Sequence, residues 1–203
     1  MSFQITKAFL TKLKTTKTGN NLNLDSVSGK LTIAPPPPPT YTLGQSVLGG
    51  TIGYILQSGD PGYDANYQHG FVVWTSDVTA SFGTGTGADY ANWPANTAIG
   101  QGKANTTILT NTNNAAGTIG ATIVTFNSAT PGGYTDWFVP STNEYAAIDG
   151  KRLNSGISNW INDWYWCSEG MDINVGRRYY MPGGGGNYDY RYLTRPYRPI
   201  RSY

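Results

Sequence analysis

Alternation of apolar and polar residues with a period of two marks several short segments of the chain as strands. In the N-terminal part, this alternation predicts two strands on either side of Ser28-Gly29. Their apolar positions are Leu22, Leu24, Leu31 and Ile33. Residues 40–56 have a strand pattern with several turn glycines, and Phe71–Ser76 and Gly120–Phe126 are short apolar runs bounded by turn residues. We predict strands in all three segments.

Helical signals are fewer and lie in the middle of the chain. The strongest covers residues 141–148, where Ser141 lies three positions before Glu144 in the pattern of a capping box. A second short helix is predicted over Arg152–Asn159. One more is predicted near Ala98–Thr110, within a Gly-, Thr- and Asn-rich stretch that should otherwise form loops.

Five consecutive prolines, Pro35–Pro39, divide the chain. Proline can neither continue a helix nor donate to a sheet, so we expect a stiff polyproline II spacer of roughly 15 Å. The preceding residues are too few to bury a core of their own, and we interpret them as an attachment or oligomerisation segment. The alternative is a disordered tail. The predicted organisation is 1–34 attachment segment, 35–40 linker and 41–203 globular domain.

Composition predicts that this globular domain is loop-rich and of the α+β class. Charged residues make up only 13% of the chain, whereas 26 Gly, 15 Tyr and 6 Trp supply turns and large apolar rings. A helical bundle needs more Ala, Leu, Glu and Lys, and a disordered chain lacks such aromatic area. We therefore expect short antiparallel strands with one or two short helices, and a core filled largely by aromatic residues.

Charge is unevenly distributed, although the net charge is only +2. Residues 1–34 carry five Lys against one Asp, residues 35–170 carry three basic against nine acidic side chains, and residues 171–203 carry six Arg against two Asp. No nucleic-acid-binding motif accompanies the basic ends, so we expect no nucleic-acid partner. No apolar run approaches the roughly 18 residues of a membrane span, so no membrane insertion is expected.

A single cysteine and a single histidine limit the chemistry that the chain can perform. Cys167 alone excludes an intrachain disulfide and is typical of assembly in a reducing cytoplasm; we interpret it as a buried, inert thiol. His69 has no second histidine with which to bind zinc, and is interpreted as a hydrogen-bonded loop residue. We predict no catalytic residue, no metal and no cofactor. Calcium is an open alternative at the WIND sequence of residues 160–163.

Three motifs in a fixed order characterise the C-terminal domain. They are WFVPSTNE at 137–144, WYWCSE at 164–169 and RPYRPIR at 195–201. Together they resemble the collagen-like-adhesin C-terminal domain family, whose members have W-x-[LV]-P-[ST]-x-x-E, then Y-W-[ST]-S, then a closing V-R-x-[VI]-R strand. The resemblance covers about residues 45–203. The chain departs from the pattern at Cys167, where the family has Ser, and at Tyr197, where it has Val or Cys.

The resemblance implies a C-type-lectin-like fold, also found in formylglycine-generating enzymes and in the variable proteins of diversity-generating retroelements. Its motif residues are expected to build the fold: Trp137, Pro140, Glu144, Trp166, Arg198 and Arg201. The two indoles can hold a loop-rich domain together, and the two arginines of the closing strand are expected to pair with Glu144 or Glu169. Because formylglycine-generating enzymes use cysteine thiolates, the lone Cys167 argues against that activity.

The stretch between the second and third motifs has the composition of a recognition surface. Tyr offers rigid amphipathic area, Arg offers paired donors, and Asn and Gly offer adaptable backbone. Tyr and Arg occupy both parities of a period-two pattern, so at least half should face outwards; the alternative is a hairpin whose tyrosines pack inwards. The predicted ligand-binding residues are Arg177, Arg178, Tyr179, Tyr180, Asn187, Tyr188, Asp189, Tyr190 and Arg191. The resemblance to retroelement variable proteins implies that relatives diversify here.

These observations favour a non-enzymatic adhesin of a virus particle, such as a phage tail or head fibre. Such a protein is assembled in the host cytoplasm and located in the virion. Residues 1–34 would bind other virion proteins and form a homo-oligomer, most simply a trimer, while residues 41–203 bind a host-surface glycan or protein. The alternatives are a structural capsid-decorating or tail-connecting protein without a receptor, and a formylglycine-generating-type enzyme.

Overall fold

The computed structural model describes residues 22–24, 31–33, 37–84, 93–157 and 159–203. Contacts divide the chain into two units, Met1–Pro39 and Thr40–Tyr203. In the first unit, β1 (Leu22–Leu24) and β2 (Leu31–Ile33) pair in antiparallel fashion, which confirms the two strands predicted there. The rest of the predicted attachment segment and the first prolines of the linker lie outside the described residues.

The second unit is an α+β domain with short antiparallel strands, as predicted. Its strands are β3 (Ser46–Val47), β4 (Gly50–Ile55), β5 (Gly70–Val73), β6 (Val78–Ser81), β7 (Asp163–Gly170), β8 (Val175–Met181), β9 (Gly186–Tyr190), β10 (Thr194–Tyr197) and β11 (Ile200–Ser202). Its helices are α1 (Gly102–Thr112), α2 (Ile119–Ser128) and α3 (Thr142–Ser155), with a 3-10 turn at Pro131–Gly133. The expectation of one or two short helices is therefore too low for the described part of the chain.

Open sheets organise the described part of the second unit. The largest has the order β11-β5-β4-β3, and the others are β7-β8-β9 and β10-β6. Strand β11 pairs with β5 and places Ile200 opposite Val73. The backbone of Ile200 also exchanges hydrogen bonds of 2.8 and 3.0 Å with Phe138. The last strand of the chain therefore joins the sheet formed by β3, β4 and β5 to the motif at 137–144.

Helix α3 begins at the predicted capping box. The Glu144 N–H donates to the Ser141 hydroxyl at 3.3 Å, and the Ser141 N–H donates to the Glu144 carboxylate at 2.7 Å. These two bonds satisfy N–H groups that the first turn of a helix otherwise leaves unpaired. The helix predicted at 141–148 is confirmed.

The other end of α3 differs from the prediction, because no separate helix forms at Arg152–Asn159. The same helix continues to Ser155 through a single interior glycine, Gly150. One such glycine costs a helix only about 1 kcal/mol and does not end it. Gly156 ends it by adopting the left-handed conformation, with φ of 62°.

The apolar run Gly120–Phe126 belongs to α2, so the strand predicted there is wrong. A short apolar run fits a strand and a buried helix equally well. Here Thr118 caps the helix, since its hydroxyl accepts from the Ala121 N–H at 3.5 Å. Ile119 and Ile123, four positions apart, are both fully buried, as one face of a helix requires.

The remaining predicted elements of the second unit are confirmed with shifted bounds. Residues 40–56 contain β3 and β4, and Phe71–Ser76 overlaps β5. The helix predicted near Ala98–Thr110 is α1, which begins at Gly102. No side chain caps α1 at its N-terminus, so the sequence held no local signal for its first residue.

Both motif tryptophans lie in the core, as predicted. Trp137 is almost fully buried and packs edge-on against Trp74, with ring centroids 5.3 Å apart. Trp166 is fully buried against Phe82 at 5.6 Å. Each indole N–H donates to a backbone carbonyl, at 3.0 and 3.1 Å. The rings thus bury large apolar area without leaving a polar atom unpaired.

Two long-range ion pairs hold the closing segment in place. Arg198 Nε donates to Asp77 at 2.7 Å. Arg201 donates to both carboxylate oxygens of Asp136, at 2.8 and 3.1 Å, and this interaction lowers the pKa of Asp136. Planar, two-pronged pairing of this kind is a geometry for which the arginine side chain is well suited.

The predicted partners of these arginines, Glu144 or Glu169, are therefore wrong. Glu144 accepts hydrogen bonds from three backbone N–H groups at 2.7 to 3.2 Å. Glu169 accepts from the backbone N–H of Thr142 at 2.8 Å and from the hydroxyl of Ser168 at 3.2 Å. Because backbone and hydroxyl donors already occupy these carboxylates, the closing arginines pair with aspartates on other segments.

Candidate functional site

The predicted ligand-binding residues lie on, or directly after, the last two strands of the sheet β7-β8-β9. Strand β7 pairs with β8 so that Tyr165 lies opposite Tyr179, and β8 pairs with β9 so that Arg177 lies opposite Tyr188. Residues 182–185 form the connection from β8 to β9, and three of its glycines have φ between 80° and 124°. Such angles favour glycine, which explains the glycine-rich sequence of this connection.

One face of the sheet packs against α3. Its buried side chains are Tyr165, Cys167, Tyr179 and Met181. The ring of Tyr179 stacks on that of Tyr145 in α3, with centroids 5.9 Å apart. The Tyr179 hydroxyl donates to Asp149 at 3.4 Å, and burial raises the pKa of Tyr179 to about 12. Tyr179 therefore belongs to the core of the domain.

On the other face, a guanidinium lies over an indole. Arg178 is 4.1 Å from the ring centroid of Trp164, which also contacts the ring of Tyr180 at 5.1 Å. The Arg178 guanidinium donates to Asp189 on β9, and this carboxylate is shared with Arg195. We call these five residues the Arg178 cluster. Its rings, cations and carboxylate can stack on a polar ligand and form hydrogen bonds with it.

The outer edge of the sheet exposes three tyrosines, Tyr188, Tyr190 and Tyr192, which we call the tyrosine edge. They are 37%, 56% and 55% exposed. The Arg177 guanidinium donates to the Tyr188 hydroxyl at 2.7 Å and lies 5.1 Å from its ring centroid. The rings of Tyr190 and Tyr192 stack on each other at 5.6 Å. Neighbouring exposed rings that are already held in position are suited to binding a ligand or a partner.

The structure sorts the nine predicted residues by exposure. Exposed are Asn187, Tyr188 and Tyr190, and partly buried are Arg177, Arg178, Tyr180 and Asp189. Tyr179 and Arg191 are each only 5% exposed. The Arg191 guanidinium lies 5.6 Å from the ring of Trp93. These last two side chains present almost no surface to a ligand.

Three residues of this surface are not among the predicted ligand-binding residues: Trp164, Tyr192 and Arg195. Trp164 belongs to the second motif, and only the pairing of β7 with β8 reveals that it lies beside Arg178. Tyr192 could have been found, because it continues the alternation of tyrosines at every second position. Arg195 reaches the cluster from β10 and carried no local signal.

Two buried carboxyl groups lie where the start of α3 meets β7. Burial raises the pKa of Glu144 to about 7 and also raises the pKa of Glu169. Both side chains are at most 1% exposed, and their hydrogen bonds go mainly to backbone N–H groups. Arg177 Nε lies 4.0 Å from the Glu169 carboxylate. The pair therefore stabilises the base of the sheet, and Arg177 connects it to the tyrosine edge.

Cys167, His69 and Asn162, which are not among the predicted ligand-binding residues, are buried or hydrogen-bonded within the domain. Cys167 is fully buried, and burial raises the pKa of its thiol well above the ordinary value, as expected for an inert cysteine. His69 Nδ1 lies 3.1 Å from the Tyr203 carbonyl oxygen, as expected for a hydrogen-bonded histidine. Asn162, within the alternative calcium segment, accepts from the Tyr180 hydroxyl at 2.7 Å. The described residues include no group of three or more His, Cys, Asp or Glu that could hold a metal ion.

Comparisons with known proteins leave the function to be inferred from this geometry. No protein-family model matches the chain, and no curated protein matches it either. Within the described ranges, no helix has the length and apolar character needed to cross a membrane. The Arg178 cluster and the tyrosine edge are therefore the observations on which a functional proposal can rest.

Proposed function

We propose that residues 41–203 form a C-type-lectin-like recognition domain of the collagen-like-adhesin type. In this proposal the chain is a non-enzymatic, receptor-binding adhesin of a virus particle, such as a phage tail or head fibre. The ligand is a glycan or protein of the host surface, bound by the tyrosine edge and the Arg178 cluster. The observation that carries the proposal is this array of Tyr, Trp and Arg side chains on the β8–β9 hairpin, where the register places Tyr188 on the side of Tyr179 and Asp189 on the side of Arg178.

Contacts between the sequence motifs support the lectin-like part of the proposal. Phe138 in the first motif exchanges backbone hydrogen bonds with Ile200 in the third. Pro140 in the first motif accepts from the Ser168 N–H of the second at 2.8 Å. Motifs that are far apart in sequence thus form one framework. The hairpin of β8 and β9 extends from that framework.

Preorganisation of the exposed rings supports the recognition role. Tyr188 is held by Arg177, and Tyr190 is held by Tyr192. Side chains that are already ordered lose less conformational entropy when a ligand binds, so more of the contact energy appears as affinity. Tyr and Arg are also the residues that most often dominate binding energy at interfaces.

Alanine substitution at the tyrosine edge tests the proposal. The wild-type protein is applied to an array of bacterial surface polysaccharides and to whole cells of a panel of bacteria. Tyr188→Ala and Tyr190→Ala are then measured on the surface that the wild type binds. We expect at least one to lose about 2 kcal/mol, or roughly thirtyfold in affinity, with unchanged thermal melting.

Leu153→Ala is the control for that experiment, because Leu153 is 85% exposed on α3, outside both groups of site residues. It should bind as the wild type does. Full binding by both tyrosine variants would place the ligand elsewhere. Failure of the wild type to bind any bacterial surface tested would favour the capsid-decorating or tail-connecting role.

Residues 1–34 are proposed to attach the chain to other virion proteins and to make it a homo-oligomer, in the simplest case a trimer. The pair β1–β2 has three residues in each strand. A two-stranded pair of this size is not stable alone in water and needs a partner. Light scattering should find an oligomer for the full chain and a monomer for a chain beginning at Thr40. An oligomeric truncated chain or a monomeric full chain would contradict this role.

A further inference from the structure

The loop between β4 and β5, residues 56–69, borders two cavities that share no lining residue with the tyrosine edge or the Arg178 cluster. One has a volume of about 290 Å³ and is lined by Tyr63, Asp64, Asn66 and Tyr67 among others. The other has a volume of about 250 Å³ and is lined by Pro61 and Tyr203 among others. Both lie just below the roughly 300 Å³ at which pockets for drug-sized ligands begin, so each suits a molecule of about one sugar ring.

Two exposed aromatic rings, Tyr63 and Tyr67, line the larger cavity. They are 45% and 55% exposed. Their exposure matches that of Tyr190 and Tyr192 at the tyrosine edge. An exposed ring beside a concave surface offers an apolar face on which the C–H face of a sugar can stack.

Hydrogen bonds fix the shape of this loop without a ligand. Asp60 accepts from the Tyr54 hydroxyl and from the Gln57 N–H, both at 2.7 Å. The Gln68 side chain binds the backbone N–H and carbonyl of Tyr41, at 2.5 and 3.0 Å. Since both ends of the loop are anchored, a ligand would meet a surface that is already formed.

Polar groups that border the cavities are left available for a ligand. One carboxylate oxygen of Asp64 accepts from the backbone N–H and the amide of Asn66, at 2.7 and 3.3 Å, which holds the side chain in place. Its other oxygen has no hydrogen-bond partner among the described residues. The hydroxyl of Tyr203, which lines the smaller cavity, is buried and likewise lacks a partner within the described part of the chain.

The charge of the loop narrows the class of ligand. Residues 56–69 contain Asp60 and Asp64 and neither Lys nor Arg. Neither cavity has a Lys or Arg lining residue. A phosphate, sulfate or carboxylate would therefore meet like charge with no cation to bind it. A neutral molecule with several hydroxyl groups meets acceptors and aromatic faces instead.

We propose that the larger cavity of the loop at residues 56–69 is a second binding site, which takes one neutral sugar residue. The sugar stacks on Tyr63 or Tyr67 and donates its hydroxyls to the free oxygen of Asp64. This site lies in the loop between β4 and β5, which belong to a different sheet from β8 and β9. It does not depend on the function proposed for the tyrosine edge.

Titration of the full chain with simple sugars, followed by NMR of the aromatic side chains, tests the loop site. The probes are the methyl glycosides of glucose, galactose, mannose and N-acetylglucosamine, each at millimolar concentration. At least one should shift the signals of Tyr63, Tyr67 and His69 in a saturable manner. Either Tyr63→Ala or Tyr67→Ala should weaken that binding by about tenfold or more, and Asp64→Asn should weaken it less.

Leu153→Ala is the control, because Leu153 is 85% exposed on α3 and belongs to neither the loop nor the tyrosine edge. It should leave sugar binding by the loop unchanged, and thermal melting should be the same for all variants. The loop site is overturned if none of the four glycosides binds, or if binding survives in both Tyr63→Ala and Tyr67→Ala. Loss of sugar binding in Tyr192→Ala alone would assign the sugar to the tyrosine edge. Self-association that Tyr67→Ala abolishes, without sugar binding, would assign the loop to contacts between copies of the chain.

Discussion

The arginines of the closing segment and those of β8 have similar neighbours but connect different parts of the chain. Arg198 pairs with Asp77, 121 residues away in sequence, and its side chain is only 1% exposed. Arg178 pairs with Asp189, 11 residues away on the adjacent strand, and its side chain is 16% exposed. The first arginine joins distant segments, and the second stabilises a single hairpin.

The arginines of the closing segment and those of β8 do not differ in how closely they stack on aromatic rings. The guanidiniums of Arg198 and Arg201 lie 4.2 and 3.7 Å from the centroids of their aromatic neighbours. Those of Arg177 and Arg178 lie 5.1 and 4.1 Å from theirs. Burial and sequence separation are the distinguishing features. A buried long-range arginine maintains the fold, whereas a partly exposed local one can exchange a neighbour for a ligand at low cost.

Among these side chains, Arg198 should show the largest effect of substitution on stability. Its guanidinium also donates to the side chain and the carbonyl of Asn159, at 2.7 and 2.9 Å. We expect Arg198→Met to lower the free energy of unfolding by about 3–5 kcal/mol, because Asp77 and Asn159 lose a buried partner. Urea denaturation measures the loss. Arg177→Met is the control and should cost less than about 1 kcal/mol. Equal losses in the two variants would mean that Arg177 maintains the fold as much as Arg198 does.

Glu144 differs from the aspartates paired with these arginines, because this buried acid is held by N–H groups. Its pKa of about 7 in the folded chain lies above the ordinary 4.5. The contribution of protonated Glu144 to the free energy of unfolding is therefore fully present below pH 4.5 and is lost as the pH rises through 7. We expect the free energy of unfolding to fall by about 3 kcal/mol over this range, with Glu169 acting in the same direction. Denaturation at several pH values measures it, and Glu144→Gln should flatten the curve. An unchanged slope in that variant would exclude Glu144 as the cause.

Arg201 should show a smaller effect of the same kind as Arg198, because Asp136 is 37% exposed. We expect Arg201→Gln to cost about 1–2 kcal/mol at neutral pH. The Arg201 hydrogen bond lowers the pKa of Asp136, so this stabilisation is present above the ordinary 3.8 and disappears as the pH falls through the lowered value. The difference between wild type and variant should therefore shrink in acid. A constant difference would mean that the loss arises from packing alone.

The smallest effect on stability is expected at Arg177. Arg177→Ala should change the free energy of unfolding by no more than about 1 kcal/mol, because the pair with Glu169 is 4.0 Å apart and the Arg177 side chain is 26% exposed. Binding should fall about tenfold on the surface that the wild type recognises, because Tyr188 loses the group that positions it. Denaturation and binding are measured on the same preparation. A destabilised variant with intact binding would reverse the roles assigned to the two groups of arginines.

Helix α3 was predicted from a local signal at its N-terminus. The capping box of Ser141 and Glu144 was readable because both partners lie within four residues. The strand predicted at Gly120–Phe126 failed because its apolar run fits two structures, and Thr118 was not recognised as a cap. Period and composition alone do not resolve that choice.

Long-range pairing limited what could be predicted about the site. No local pattern relates Arg198 to Asp77 across 121 residues. Tyr179 and Tyr180 are neighbours, so one must face the core and the other must not. The pairing of β8 with β7 and the contact with α3 decide which, and they bury Tyr179. The composition of residues 177–191 therefore suggested a recognition surface. The pairing of the strands determines which of their side chains are exposed on it.

The guanidinium over Trp164 gives the proposed recognition surface an optical property of its own. A positive charge 4.1 Å from an indole ring changes the electric field at that ring. A ligand that displaces Arg178 would remove this charge and shift the emission of Trp164. Five other tryptophans contribute a background, which a Trp164→Phe variant isolates. The surface can thus report its own occupancy by fluorescence, with no label attached.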